Sequence, residues 1–163
     1  MAFIDTDSEK PEVPTFYNLN SAVGYGCPNM TEDVKVVQFF LQRFFTLKAF
    51  VKDTPSGTMA VDGKVGPVTR TWIRKFQVLC RKSGQDVLVD GVINKAGNPA
   101  NSNNLTASIS HTKYAIRMIN AVLRHEDREV YKTLATNPIV PPDVRLIFTQ
   151  INAQGPPMNY GAA

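Results

Sequence analysis

The chain has 163 residues, 43% of them hydrophobic and 20% charged, so it can build one self-supporting core and is not too polar to fold. With 18 Lys and Arg against 14 Asp and Glu, the net charge of +4 permits contact with an acidic polymer without demanding it. Cys27 and Cys80 are too few for a disulfide framework and form no CxxC; we read them as free thiols, and the sequence leaves open whether they meet.

The chain starts Met1-Ala2-Phe3-Ile4-Asp5-Thr6, with neither a basic start nor an apolar run of signal-peptide length. No stretch approaches the ~18 apolar residues that a spanning helix needs, so no membrane insertion is expected. A role at a cell wall then calls for another exit, such as phage lysis, virion assembly or an injection machine.

Residues 1–28 hold Pro11, Pro14 and Pro28, with Gly24-Tyr25-Gly26 near the end, and predict an extended arm leading into a turn. Phe16, Tyr17 and Leu19 can dock either on their own domain or on a neighbouring subunit. A first helix begins between Asn29 and Thr31. Asn29 and Glu32 have capping-box spacing, Thr31 is a rival cap, and Glu32 and Asp33 suit the positive end of the helix dipole. Val34, Val37, Leu41 and Phe44 form its stripe. Val36, Phe40 and Leu47 widen it, which predicts burial on more than one side.

Residues 52–60 read as a loop. Val61-Asp62-Gly63-Lys64-Val65 then carries an Asp-Gly turn, and Gly66-Pro67 opens a second helix with Pro in the first turn. Its predicted inner stripe is Val65, Val68, Trp72, Phe76 and Leu79 or Cys80. Arg70, Arg74 and Arg81, with Lys75 and Lys82, lie largely elsewhere on it. Ser83-Gly84 ends that helix, and Val89-Asp90-Gly91-Val92-Ile93 partly repeats the first turn, so both copies predict short extended pieces with turns. Residues 94–110 are rich in Asn, Ser and Gly and predict a surface loop. A third helix is expected from Ser110 to Arg124 with Ala115, Met118, Ile119 and Val122 inward, and a short one from Arg128 to Ala135. Pro141-Pro142-Asp143 starts a last helix with Val144, Ile147, Phe148 and Ile151 on one face. Gly155-Pro156-Pro157 ends it before a tail.

Residues 33–91 resemble the peptidoglycan-binding domain family. Asp33-Val34-Lys35-Val36-Val37-Gln38 with Leu41 looks like its first helix, and Val61-Asp62-Gly63, Gly66-Pro67 and Thr69 like its turn signature. Trp72-Ile73 and Phe76-Gln77 are similar to its second helix, and Val89-Asp90-Gly91 to its second turn. Val23-Gly24-Tyr25-Gly26-Cys27-Pro28-Asn29 resembles the start of a subgroup attached to phage and secretion-particle proteins. The resemblance implies a three-helix module with a shallow wall-binding surface. Asn94 and a long loop stand where Gly-Pro and Thr follow the first turn, so that loop would cover or replace such a surface. The hydrolase domain that usually accompanies the family is not visible.

Chemistry is sparse. Asp62 and Asp90 invite reading as a carboxylate pair, but Asp-Gly turns explain both without catalysis. His111 and His125 are the only histidines and there is no HExxH, so no metal site is expected. No cofactor is expected either. The best-defined basic feature is Arg70, Arg74 and Arg81 with Lys75 and Lys82, which reads as a surface for carboxylates or phosphates; the candidate binding residues are Asp62, Lys64, Arg70, Arg74 and Asp90. Nucleic-acid binding calls for denser charge with exposed aromatics and is not expected. The expected fold is mainly α: an extended arm over 1–28, a peptidoglycan-binding-like helical domain over 29–126 with a three-helix core and short turn or strand pieces, and extra C-terminal helices and a tail over 127–163. The expected role is that of a non-catalytic structural or interaction protein of a phage or injection-type particle assembled in the bacterial cytoplasm. Its partners would be other particle proteins, copies of itself, or peptidoglycan. The alternatives are a cell-wall-binding accessory of a lytic enzyme and, third, an enzyme using the carboxylates.

Overall fold

The computed structural model describes residues 2–6, 15–97 and 113–155, and within them the chain is mainly helical with one small antiparallel ladder. The order is β1 (Phe3–Thr6), β2 (Thr15–Asn18), α1 (Thr31–Phe44), a 3₁₀ turn at Val51–Asp53, α2 (Pro67–Lys82), α3 (Ala115–Glu126), α4 (Arg128–Lys132) and α5 (Pro142–Gln154). Among these residues no helix is long and apolar enough to cross a membrane.

Helix α1 is the centre of the fold. Its wide apolar surface is buried on several sides, against α2, α3 and α5. Two aromatic clusters sit along it. Phe40 stacks on Phe148 of α5 at 5.8 Å, and Tyr17 of β2 meets Phe148 edge-on at 4.9 Å. One turn later Phe44 stacks on Phe50 at 4.3 Å and meets Phe76 of α2 edge-on at 4.8 Å. Each such ring, taken out of water, contributes about 1.5–3 kcal/mol, which is why an aromatic-rich α1 can organise the rest.

The start of α1 corrects one expectation. Asn29 makes no capping box with Glu32; the cap position is Met30, without a side-chain bond. The Asn29 carboxamide instead closes a loop, accepting from Gly24 N and donating to Gly24 O, both at 2.8 Å. Two backbone groups satisfied in the loop outweigh one satisfied at the helix end. Asp33 lies in the first turn as expected, yet it is fully buried and accepts from Asn20 N, Ser21 N and Ser21 Oγ.

Helix α2 starts at Pro67 and ends at Lys82, as its punctuation predicts. Its inner face is Thr69, Trp72, Ile73, Phe76, Gln77, Leu79 and Cys80; Val65 and Val68 of the expected stripe are only partly buried. Helix α3 starts at Ala115, because Tyr114 is still extended at φ −73° and ψ 125°. It runs to Glu126, and α4 stops at Lys132 rather than Ala135. The expected face of α5 is buried at all four positions, Val144, Ile147, Phe148 and Ile151. The expected extended pieces around 87–93 reduce to one bridge, Val23 with Ile93.

The described residues of the expected arm, 2–6 and 15–28, contribute to the core through Ala2, Phe16, Leu19 and Val23. β1 and β2 pair antiparallel, with Phe3 opposite Asn18 and Ile4 opposite Tyr17. β2 lies on α3 and β1 on α5. Asn120, fully buried on α3, grips β2 through Tyr17 N and Tyr17 O, both at 2.9 Å. Phe16 and Leu19 are buried in the same core, so they dock on their own chain. The expected loop tip, the predicted helix start at 110–112, His111 and the tail after Gly155 lie outside the described residues.

Candidate functional site

The two Asp-Gly turns are built to one plan. In the first, Asp62 Oδ1 accepts from Lys64 N at 2.9 Å, and Gly63 has φ +75°, where a side chain is strained. From α1, the buried Gln38 accepts from Gly63 N and donates to Asp62 Oδ1, Lys64 O and Thr69 Oγ1. In the second, Asp90 Oδ1 accepts from Val92 N at 3.0 Å, and Gly91 again has φ +75°. The buried Gln77 of α2 accepts from Gly91 N and Asp90 N and donates to Asp90 Oδ1 and Val92 O. A carboxamide offers both donor and acceptor, so one side chain locks a whole turn.

The match extends along the helices. Three residues before each glutamine, a cation lies across the turn glycine. A Cβ on Gly63 would stand 3.3 Å from Lys35 Cε, and one on Gly91 would stand 3.2 Å from Arg74 Cγ. Seven residues before each glutamine stand Thr31 and Arg70. The units 31–38 with 62–64, and 70–77 with 90–92, are therefore equivalent. Gln38 and Gln77 carry no charge or reactivity to draw attention. The available signal was an amide inside each apolar stripe, where burial demands partners.

The five candidate binding residues divide between these units. Asp62 and Lys64 belong to the first turn. Lys64 N–H, and then Gln38, hold the Asp62 carboxyl below its ordinary value. Arg70, Arg74 and Asp90 come together at the second turn, where with Tyr25, Pro67, Thr71 and Gly91 they line an open groove of about 400 Å³. Tyr25, missed as a site residue, is 78% exposed, and the Arg70 guanidinium lies 5.1 Å from its ring centre. The Gly24–Asn29 loop presents that ring. Among the described residues neither Arg70 nor Arg74 has a carboxylate within ion-pair reach. In the first unit Lys35 Nζ meets Asp143 Oδ2 of α5 at 2.8 Å. Cys27 is half-buried near the groove; burial, and then the Asp90 charge, push its thiol pKa up. Cys80 is buried, with its pKa raised to about 12 by desolvation, and both thiols are free.

A second cleft, of about 440 Å³, lies between α1, the 45–59 segment and Trp72. Its charged lining residue, Arg43, is tied to Asp127 at 2.7 and 3.0 Å. Trp72 Nε1 is buried there without an acceptor. His125 is exposed beside Glu126, and no three potential metal ligands converge among the described residues. The groove therefore offers two guanidinium groups without a carboxylate in ion-pair reach among the described residues, and an exposed aromatic ring, a set suited to binding anions with a flat or extended neighbour.

No family model, no curated protein and no solved structure matches the chain.

Proposed function

We propose that this chain is a non-catalytic structural or interaction protein of a phage or injection-type particle, built on a module that resembles the peptidoglycan-binding domains. The observation that carries the reading is the open Tyr25–Arg70–Arg74–Asp90 groove beside the second locked turn. Two aspartates that could be taken for an acid–base pair instead have Oδ1 engaged by their own turns and by Gln38 or Gln77. That arrangement favours a framework role over proton transfer. Assembly takes place in the bacterial cytoplasm, and the partners are other particle proteins or copies of this chain.

The test is to purify particles from producing cells and measure the chain's copy number by native mass. A fixed, symmetric stoichiometry is the expected result; absence from particles overturns the reading. The alternative, a wall-binding accessory of a lytic enzyme, draws on the resemblance and on the basic groove. It expects the isolated chain to sediment with purified peptidoglycan.

A further inference from the structure

We propose that the Tyr25–Arg70–Arg74 groove receives a carboxylate that directly follows a proline pair on a polypeptide segment of a neighbouring protein. This rests on the reading of the chain as an interaction module. The argument comes from the duplication. Two equivalent units stand side by side in the sequence, each with a glutamine-locked Asp-Gly turn and a cation lying across its glycine. In the first unit that cation is already met. Lys35 binds Asp143, the second residue of α5, directly after Pro141-Pro142, with Pro141 in a polyproline-like conformation at φ −54° and ψ 145° leading into the helix. In the second unit the equivalent cation, Arg74, faces a groove and has no such partner among the described residues. The first unit thus displays the kind of group the second is shaped to take.

The second unit is also the stronger receptor. Arg70 replaces Thr31, so two guanidinium groups replace one ammonium and can hold a carboxylate in a fork. Asp90, a single carboxylate in the same groove, offsets only one of the two guanidinium charges. Tyr25 supplies an exposed flat face, the surface on which proline-led extended segments dock.

The experiment titrates the full ¹⁵N-labelled chain with the synthetic peptide acetyl-Val-Pro-Pro-Asp-Val-amide, which copies residues 140–144. Parallel arms use the same peptide with Asn for Asp, and N-acetylmuramyl dipeptide as a wall carboxylate. The Gly91 amide and the Arg74 side-chain resonance are expected to shift with the Asp peptide, while the Gly63 amide stays still. The Asn peptide should bind about ten- to a hundredfold more weakly. R70Q/R74Q should abolish the shifts with an unchanged Tm. Equal binding of the Asp and Asn peptides, shifts with the muramyl dipeptide alone, or no shifts at all would each overturn the proposal. Particle stoichiometry is a separate readout: a silent groove in a chain that still assembles removes the ligand and leaves the particle role. Peptide binding by a chain absent from particles does the reverse.

Discussion

The first helix–turn unit is closed and the second is open, although both use the same local construction. In each, a glutamine in an apolar helical stripe satisfies an Asp-Gly turn, and a long cation lies over the glycine. What differs is the surroundings. The first turn runs directly into α2 through Gly66-Pro67, with Thr69 joining its network, and α5 brings Asp143 to Lys35. The second turn is held by the Val23–Ile93 bridge, and among the described residues its arginines face an open groove beside the exposed Tyr25, with no carboxylate in ion-pair reach. A repeated motif thus sets a repeated shape, while neighbouring elements decide which copy remains free to bind.

The largest expected effect comes from the locks. Gln38→Ala strands the Gly63 N–H and weakens the support of Lys64 O, and should cost about 3–4 kcal/mol in urea unfolding at ~1–3 kcal/mol per buried unsatisfied group. Gln77→Ala should cost a similar amount, less whatever Thr69 adds in the first turn. If either variant unfolds like the parent, that lock does not hold its turn.

The glycines sharpen the contrast. A Cβ at Gly63 would lie 2.6 Å from Thr31 Cγ2 and 3.3 Å from Thr31 O, whereas at Gly91 it meets only Arg74 methylenes. Gly63→Ala is therefore expected to lose about 2–3 kcal/mol and Gly91→Ala about 1–2 kcal/mol, the latter mostly the left-handed backbone cost. Equal losses in thermal unfolding would argue that the open side of the second turn is as tightly packed as the first.

Smallest is an electrostatic effect at the first turn. Asp62 is held below its ordinary value of 3.8, chiefly by Lys64 N–H and then by Gln38. A depressed folded pKa gives stability that is present above the unfolded value and disappears as pH falls through the folded one. Asp62→Asn should therefore lower stability slightly at neutral pH and leave it nearly unchanged in strong acid, flattening the acid limb of the stability–pH curve. An unchanged acid limb would show that the turn's hydrogen bonds do not discriminate between charge states.

Much of this was legible in the residues. Pro67, Ser83-Gly84 and the Pro141-Pro142 pair placed the ends of α2 and α5, because proline and glycine act through their own backbones. The stripes of α1 and α5 follow from spacing alone, and of the candidate set Asp62, Lys64, Arg70, Arg74 and Asp90 the last three line one groove while Asp62 and Lys64 belong to the other turn. Asn29 was misread because capping is a local rule, and a loop five residues back competed for its amide. Gln38, Gln77 and Tyr25 were passed over as functional parts, since their roles depend on partners 13 or more residues away for the glutamines and on a loop-to-helix approach for Tyr25.

By itself, the order of residues determined the helices, the two Asp-Gly turns and the basic face, because these follow from periodicity, backbone preference and charge within short windows. Tertiary structure alone decided that the first strands would join the core, that Asp143 would reach Lys35, and that Arg74 would be left facing a groove. Those outcomes depend on which surfaces meet once α1 is enclosed, and contacts between distant segments leave no period in the chain to read.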